Sequence, residues 1–165
     1  WNLISIPGDP ADPAINSVIG ATHPIDAVLT YNGSEWLTAN RDAATGLLTG
    51  TLTTISSTQA YWVHTNSFKA LDITLASVGT GQVPPTIELS AGWNLVPVLA
   101  ANPQTASAGN TVNEDNYLPS GWARAYSYAT LTGQFGSISP SDSGSNLLVG
   151  QGYWVYMTKA GNIIP

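Results

Sequence analysis

Two short phrases recur at one fixed spacing along this chain of 165 residues. Trp1-Asn2-Leu3-Ile4 returns as Trp93-Asn94-Leu95-Val96, and Tyr61-Trp62-Val63 returns as Tyr153-Trp154-Val155, in both cases 92 positions later. Separated anchors that share a register indicate a small structural unit used twice. The chain therefore reads as a tandem duplication, in which each copy closes a core around the same aromatic and aliphatic residues. At the same offset His64 meets Tyr156, His23 meets Asp115, Asp72 meets Ile164 and Lys69 meets Gly161. What repeats is scaffold, and no reaction can be read from it.

A hydrophobic content of 43% is enough for a globular core, either as one domain of ordinary size or as two small ones. Charged residues make up only 8% of the chain, against roughly a quarter in typical soluble domains. Solubility must then come from Thr, Ser, Asn, Gln and Gly, a surface suited to work outside the cell, beside copies of itself or facing polysaccharide. The net charge of −6, with Arg41, Lys69, Arg124 and Lys159 as the only side-chain cations, disfavours nucleic acid as a partner. The lack of cysteine excludes disulfides and thiolate chemistry. No apolar run is long enough to span a membrane and no signal peptide is legible. The chain lacks an initiator Met and reads as a processed product or an excised piece.

Val, Ile, Thr, Tyr and Trp cluster in short runs between Gly, Pro, Asn and Asp, which predicts a mainly β protein. The expected unit is sandwich- or barrel-like, with about five strands and one short helix. Asn2 to Ile6 is the first strand, ended by Pro7. Asp12 as N-cap, Pro13 at the first helical position and apolar residues at 15, 18 and 19 predict a helix closed by Gly20. Ala27 to Tyr31, Asn32-Gly33 and Ser34 to Ala39 predict a hairpin with a type I′ turn. That turn also accounts for the residues of the Asn32-Gly33-Ser34 sequon without attached sugar. Ala60 to His64 and Leu71 to Leu75 complete the first unit, 1–78. Ser77 to Pro85 reads as an extended connection. Thr86 to Ser90 then reads as a leading strand for the second unit, within 79–165.

Chemistry is thinly provided. Two histidines and ten scattered carboxylates carry no nucleophile motif, so no catalytic residue, and no cofactor, is assigned. Asp9 to Asp12 and Asn113 to Asn116 offer oxygen ligands for Ca²⁺ but match no binding loop. There Asp12 is expected to cap the helix and Glu114 and Asp115 to be solvated, and no metal site is assigned. His23 and His64 lack the spacing of a zinc site.

The aromatic residues divide in two. Trp1, Trp62, Trp93 and Trp154 recur within apolar strands and are expected to fill cores. Along Tyr153 to Met157 both faces are apolar, so that strand should be covered on both sides. Repetition does not explain Trp36, Phe68, Tyr117, Trp122, Tyr128 and Phe135. Among these, Trp36, Trp122 and Tyr128 are the candidates for a sugar platform.

Gly92-Trp93-Asn94-Leu95-Val96 and Gly150-Gln151-Gly152-Tyr153-Trp154-Val155 resemble the repeated module of large bacterial and archaeal surface proteins, which begins GWNLISIP and ends near GKGYWV. Pro97 stands where the module has Ser. The resemblance implies a secreted or cell-surface setting without catalysis. The first unit lacks a leading strand, and the last strand of the second is expected to begin near Ile163 and to be cut off at Pro165, which leaves open edges at Trp1, Asn2, Leu3 and Ile4 and at Ile163 and Ile164. Open edges template strand addition. The leading expectation is thus a structural subunit that joins copies of itself head to tail in a fibre, layer or stalk. The alternative is a carbohydrate-binding module.

Overall fold

The computed structural model describes residues 1–77, 85–99, 110–142 and 144–165. The chain is mainly β, as expected. The first half contains β1 (Asn2–Ser5), α1 (Ile15–Val18), β2 (Ile25–Tyr31), β3 (Trp36–Arg41), β4 (Leu48–Gly50) and β5 (Ala60–Thr65). The second contains β6 (Ile87–Leu89), β7 (Gly92–Pro97), β8 (Thr111–Asn113), α2 (Glu114–Tyr117), β9 (Trp122–Ala129), β10 (Gln134–Ile138), β11 (Asn146–Leu148), β12 (Gly152–Met157) and β13 (Gly161–Ile163). Both helices are single turns, and no helix among the described residues is long and apolar enough to cross a membrane.

The larger sheets are antiparallel and run β1-β5-β2-β3-β4 and β7-β12-β9-β10. They agree in register as well as in order. Leu3 faces Trp62 in one, and Leu95 faces Trp154 in the other. Even a side-chain bond recurs: the Tyr61 hydroxyl accepts from Ser56 N and donates to Gln59 Oε1, as the Tyr153 hydroxyl accepts from Leu148 N and donates to Gln151 Oε1. The supposed boundary at Val78 and most of the Ser77–Pro85 connection lie outside the described residues.

Strand alternation builds three cores. Tyr61 and Val63 of β5 turn towards Ile6, Ile15, Val28 and Leu52. Tyr153, Val155 and Met157 of β12 turn towards Val96, Trp122, Leu147 and Ile163. The opposite faces of the same strands meet each other through Leu3, Ala60 and Leu95, with Trp62 and Trp154 packed alongside. At the closest approach Gly152 leaves no room for a side chain, since a β-carbon there would lie 2.8 Å from Ala60 Cβ and 3.1 Å from Ile4 O. Burial raises the phenols of Tyr61 and Tyr117 to about 12, against the hydrogen bonds made by Ser56 and Leu99 respectively.

Several local expectations are corrected. The hairpin loop holds four residues, 32–35, and is not a type I′ turn, because Gly33 takes φ +94° while among the described residues no non-glycine residue, Asn32 included, has positive φ. Asn32 Oδ1 instead accepts from Ser34 N, Ser34 Oγ and Glu35 N. Ala14, not Asp12, precedes the first turn of α1, and Asp12 Oδ1 accepts from Ala14 N two residues on. Leu71 to Leu75 is not a strand. It pairs only at one bridge, Leu75 to Pro10, flanked by the bonds Ala11 N to Thr74 O and Ala76 N to Asp9 O, while Leu71 and Ile73 pack on the first core; the proline nitrogen cannot extend a ladder.

The expected edges are occupied only in part, since β1 still ends its five-stranded sheet and β13 belongs to a two-stranded one. β13 pairs with β6 through Ile163 and Ile87, and Ile163 is buried, leaving only Ile164 outside. Asn2, Leu3 and Ile4 pair with β5, and on the other side Ile4 bridges Gln151 while Ser5 N donates to Gly150 O. Trp1 stacks on its own half, against Trp62 and His64. The last strand is thus held by the leading strand of the same half.

Candidate functional site: an aromatic groove between the halves

The site starts from two cross-strand pairs. In the β2–β3 hairpin Tyr31 stands opposite Trp36, and in the β9–β10 hairpin Tyr128 stands opposite Phe135. Each pair leaves its own sheet and holds a tryptophan of the other half. Trp154 lies 5.8 Å from Tyr31 and 5.6 Å from Trp36 between ring centroids. Trp62 lies 4.9 Å from Tyr128 and 6.1 Å from Phe135. Tilted and edge-to-face contacts of this kind stabilise by about 0.5–1.5 kcal/mol per pair beyond the area buried.

Trp93 extends the row by resting on Trp154, Tyr126 and Tyr156. Together Tyr31, Trp36, Trp93, Tyr126, Phe135 and Trp154 line an open groove of about 630 Å³. Two of the six come from the first half and four from the second, so neither half contains the groove alone. None of them bears a charge. Trp36 is 46% exposed, Trp93 45% and Phe135 56%, so flat ring surface is on offer to a ligand.

Of the sequence candidates, Trp36 stands in the groove. Trp122 does not, because it is 9% exposed within the core of the second half, where the turn at Gly121 directs it inward. Tyr128 stands behind the groove, half-buried beneath Trp62 and Phe135, its carbonyl accepting from Gln151 Nε2. Among the other rings outside the repeat, Phe68 is fully exposed away from the groove and Tyr117 is buried.

The assignment of Trp1, Trp62, Trp93 and Trp154 to cores holds for Trp62 and Trp154, which pack on the core between the halves, and is corrected for Trp1 and Trp93. Trp1 and Trp93 are nearly half exposed, and Trp62 and Trp154 are half-buried at the junction of the halves. Repetition at one offset shows a shared environment, not a buried one. The two-sided apolar pattern of Tyr153 to Met157 was the available signal, since its second face is the one that meets the junction.

The titratable groups lie elsewhere. His64 Nδ1 meets Asp26 Oδ1 at 2.5 Å, and Asn66 donates to Asp26 Oδ2. Slight burial works to raise the Asp26 carboxyl, but the bonds from His64 and Asn66 outweigh it and hold the group below its usual range. Among the described residues no hydroxyl is bonded to His64. His23 is buried, with Nε2 towards Ala70 O and Nδ1 accepting from Ile25 N.

The two oxygen-rich loops, to which no metal is assigned, are turned to internal use. Asp9 Oδ1 accepts from Ser57 N and Ser56 Oγ, while Glu114 is buried rather than solvated, accepting from Ser145 N and Asn113 Nδ2. Among the described residues no three His, Asp or Glu side chains gather where a metal could sit.

No family model, curated protein or solved structure matches this chain.

Proposed function

We propose that this chain is a non-enzymatic module, displayed outside the cell, that binds polysaccharide along the aromatic groove. One observation carries the reading: six rings from both halves converge on an uncharged surface that is open enough to take a chain from the side. The C–H face of a sugar ring stacks on such a plane, and orientation then comes from a few polar groups nearby. The sparsely charged, hydroxyl-rich composition and the likeness to surface-protein modules support the extracellular setting.

The test is binding of neutral soluble polysaccharides by affinity electrophoresis and calorimetry. The Trp36→Ala variant should lose about five- to 150-fold in affinity, since one lost stacking contact is worth about 1–3 kcal/mol, and should remain folded with a modestly lower unfolding midpoint, because Trp36 also packs on Tyr31 and Trp154. Retention of full affinity by Trp36→Ala, or no binding by the parent chain, overturns the reading.

A second reading, assembly by strand addition, is favoured by β10. This strand is the outer member of its sheet, is mostly exposed, and contains neither Lys nor Pro to discourage pairing. Sedimentation that stays monomeric at high concentration overturns it.

A further inference from the structure

Beside the aromatic groove runs a second depression of quite different chemistry, of about 310 Å³ and predominantly polar. Its walls come from the hairpin tip at Asn32 and Gly33, from Thr58 and Gln59 ahead of β5, and from Glu88 and Ser90 around β6. Tyr31 lines both depressions, so the two lie side by side with its ring between them. We infer that this polar cleft is the second subsite for the same ligand, which makes that ligand an extended, neutral oligosaccharide lying with one portion on the rings and the next among the hydroxyls and amides. The inference rests on the groove being a sugar site.

Three observations favour that occupant. The groove satisfies apolar surface and offers little to a hydroxyl, whereas the cleft offers amides and hydroxyls with little to stack on, and a glycan presents both kinds of surface in alternation. Gln59 is restrained at one end: its Oε1 shares the hydrogen of the buried Tyr61 hydroxyl with Ser56 O, each at 3.2 Å, and among the described residues its Nε2 has no protein partner. The Nε2 donor is therefore positioned before any ligand arrives. The charged side chain on the cleft is the Glu88 carboxylate, and Glu35 sits on the neighbouring turn, in a chain of net charge −6. Uronic or sulfated sugars would meet like charge there, while neutral sugars would not.

The experiment compares cello-, chito- and manno-oligosaccharides of increasing length against the parent chain and three variants. In Gln59→Glu the acceptor for Tyr61 survives and the Nε2 donor is lost. In Ser90→Ala a hydroxyl on the opposite wall is removed. Trp36→Ala reports the groove. Affinity should rise with length until both subsites are filled. Gln59→Glu and Ser90→Ala should each lower affinity for the longest oligomer by about tenfold and leave the shortest unchanged, as expected for the loss of a hydrogen bond to one subsite. Trp36→Ala should weaken all lengths. Length-independent affinity, or cleft variants that affect short and long oligomers alike or neither, overturns the second subsite while leaving the groove standing. No binding of any oligomer by the parent chain overturns both.

Discussion

Trp62 and Trp154 are held crosswise: each lies one position along its strand from a buried tyrosine of its own core, yet each packs on the hairpin pair of the opposite half. Trp154→Ala should destabilise the chain by about 3 kcal/mol, the usual scale for deleting a large packed ring. Tyr31→Ala combined with Trp154→Ala should show a coupling of about 0.5–1.5 kcal/mol. Urea unfolding of the two single variants and the double variant measures this. Strict additivity would mean that the crosswise contact carries no energy.

Gly152 sets how near the halves come. A methyl group there meets Ala60 Cβ at 2.8 Å, Leu3 Cδ1 at 3.0 Å and Ile4 O at 3.1 Å, and one of these neighbours is backbone. Gly152→Ala should cost about 1–3 kcal/mol by overpacking. Gly20→Ala, at a site with open space around it, should be neutral or slightly stabilising. Thermal midpoints of the two variants, measured side by side, decide whether the contact is as tight as described.

Glu114 opens α2 but points inward, with Ser145 N on one oxygen and Asn113 Nδ2 on the other. Glu114→Ala removes a buried side chain and the acceptor it offers to Ser145 N and Asn113 Nδ2, and should destabilise by about 1–3 kcal/mol. Asp115→Ala, at the exposed neighbouring position, should change stability by less than about 0.5 kcal/mol. Equal losses in denaturant titrations of the two variants would contradict the inward placement.

Alkaline pH should unfold the protein by way of its buried phenols. Tyr61 and Tyr117 are raised to about 12 from the ordinary value of 10.0, so the native state holds their protons more tightly than the unfolded chain does. Their contribution is fully present below pH 10 and is lost as pH rises towards 12, on the order of 2 kcal/mol for each phenol. Tyr61→Phe should flatten that decline relative to the parent when stability is followed between pH 9 and 12. An unchanged slope would mean that Tyr61 ionises freely in the native state.

The sequence disclosed the parts of this fold that are local or repeated. The shared anchors pointed to the common register of β1 with β5 and β7 with β12, and the alternation around Asn32-Gly33 located the first hairpin. Relations between distant segments stayed hidden. Ile163 finds Ile87 across the second half, and nothing near either residue signals the pairing. Trp36 was legible as a ligand candidate because it lies beside a turn outside the repeat. Trp93 was misread because it lies at the rim, on Tyr126, Trp154 and Tyr156 of its own half, and a one-dimensional pattern shows that a face is apolar without showing whether anything covers it. Trp122 was misread for the converse reason, since a neighbouring Gly121 with φ +101° can aim a ring inward as readily as outward.

Tyr31 closes the tip of its hairpin by donating from its hydroxyl to Gly33 O, while its ring forms part of the wall between the two depressions. The residues that follow it, Asn32 to Glu35, are exposed and bear no weight in any of the three cores. Asn32 and Gly33 are needed to hold the turn, but the side chains of Ser34 and Glu35 can change without disturbing the framework, so ligand preference is free to drift there between descendants of the same gene while the rings behind stay put.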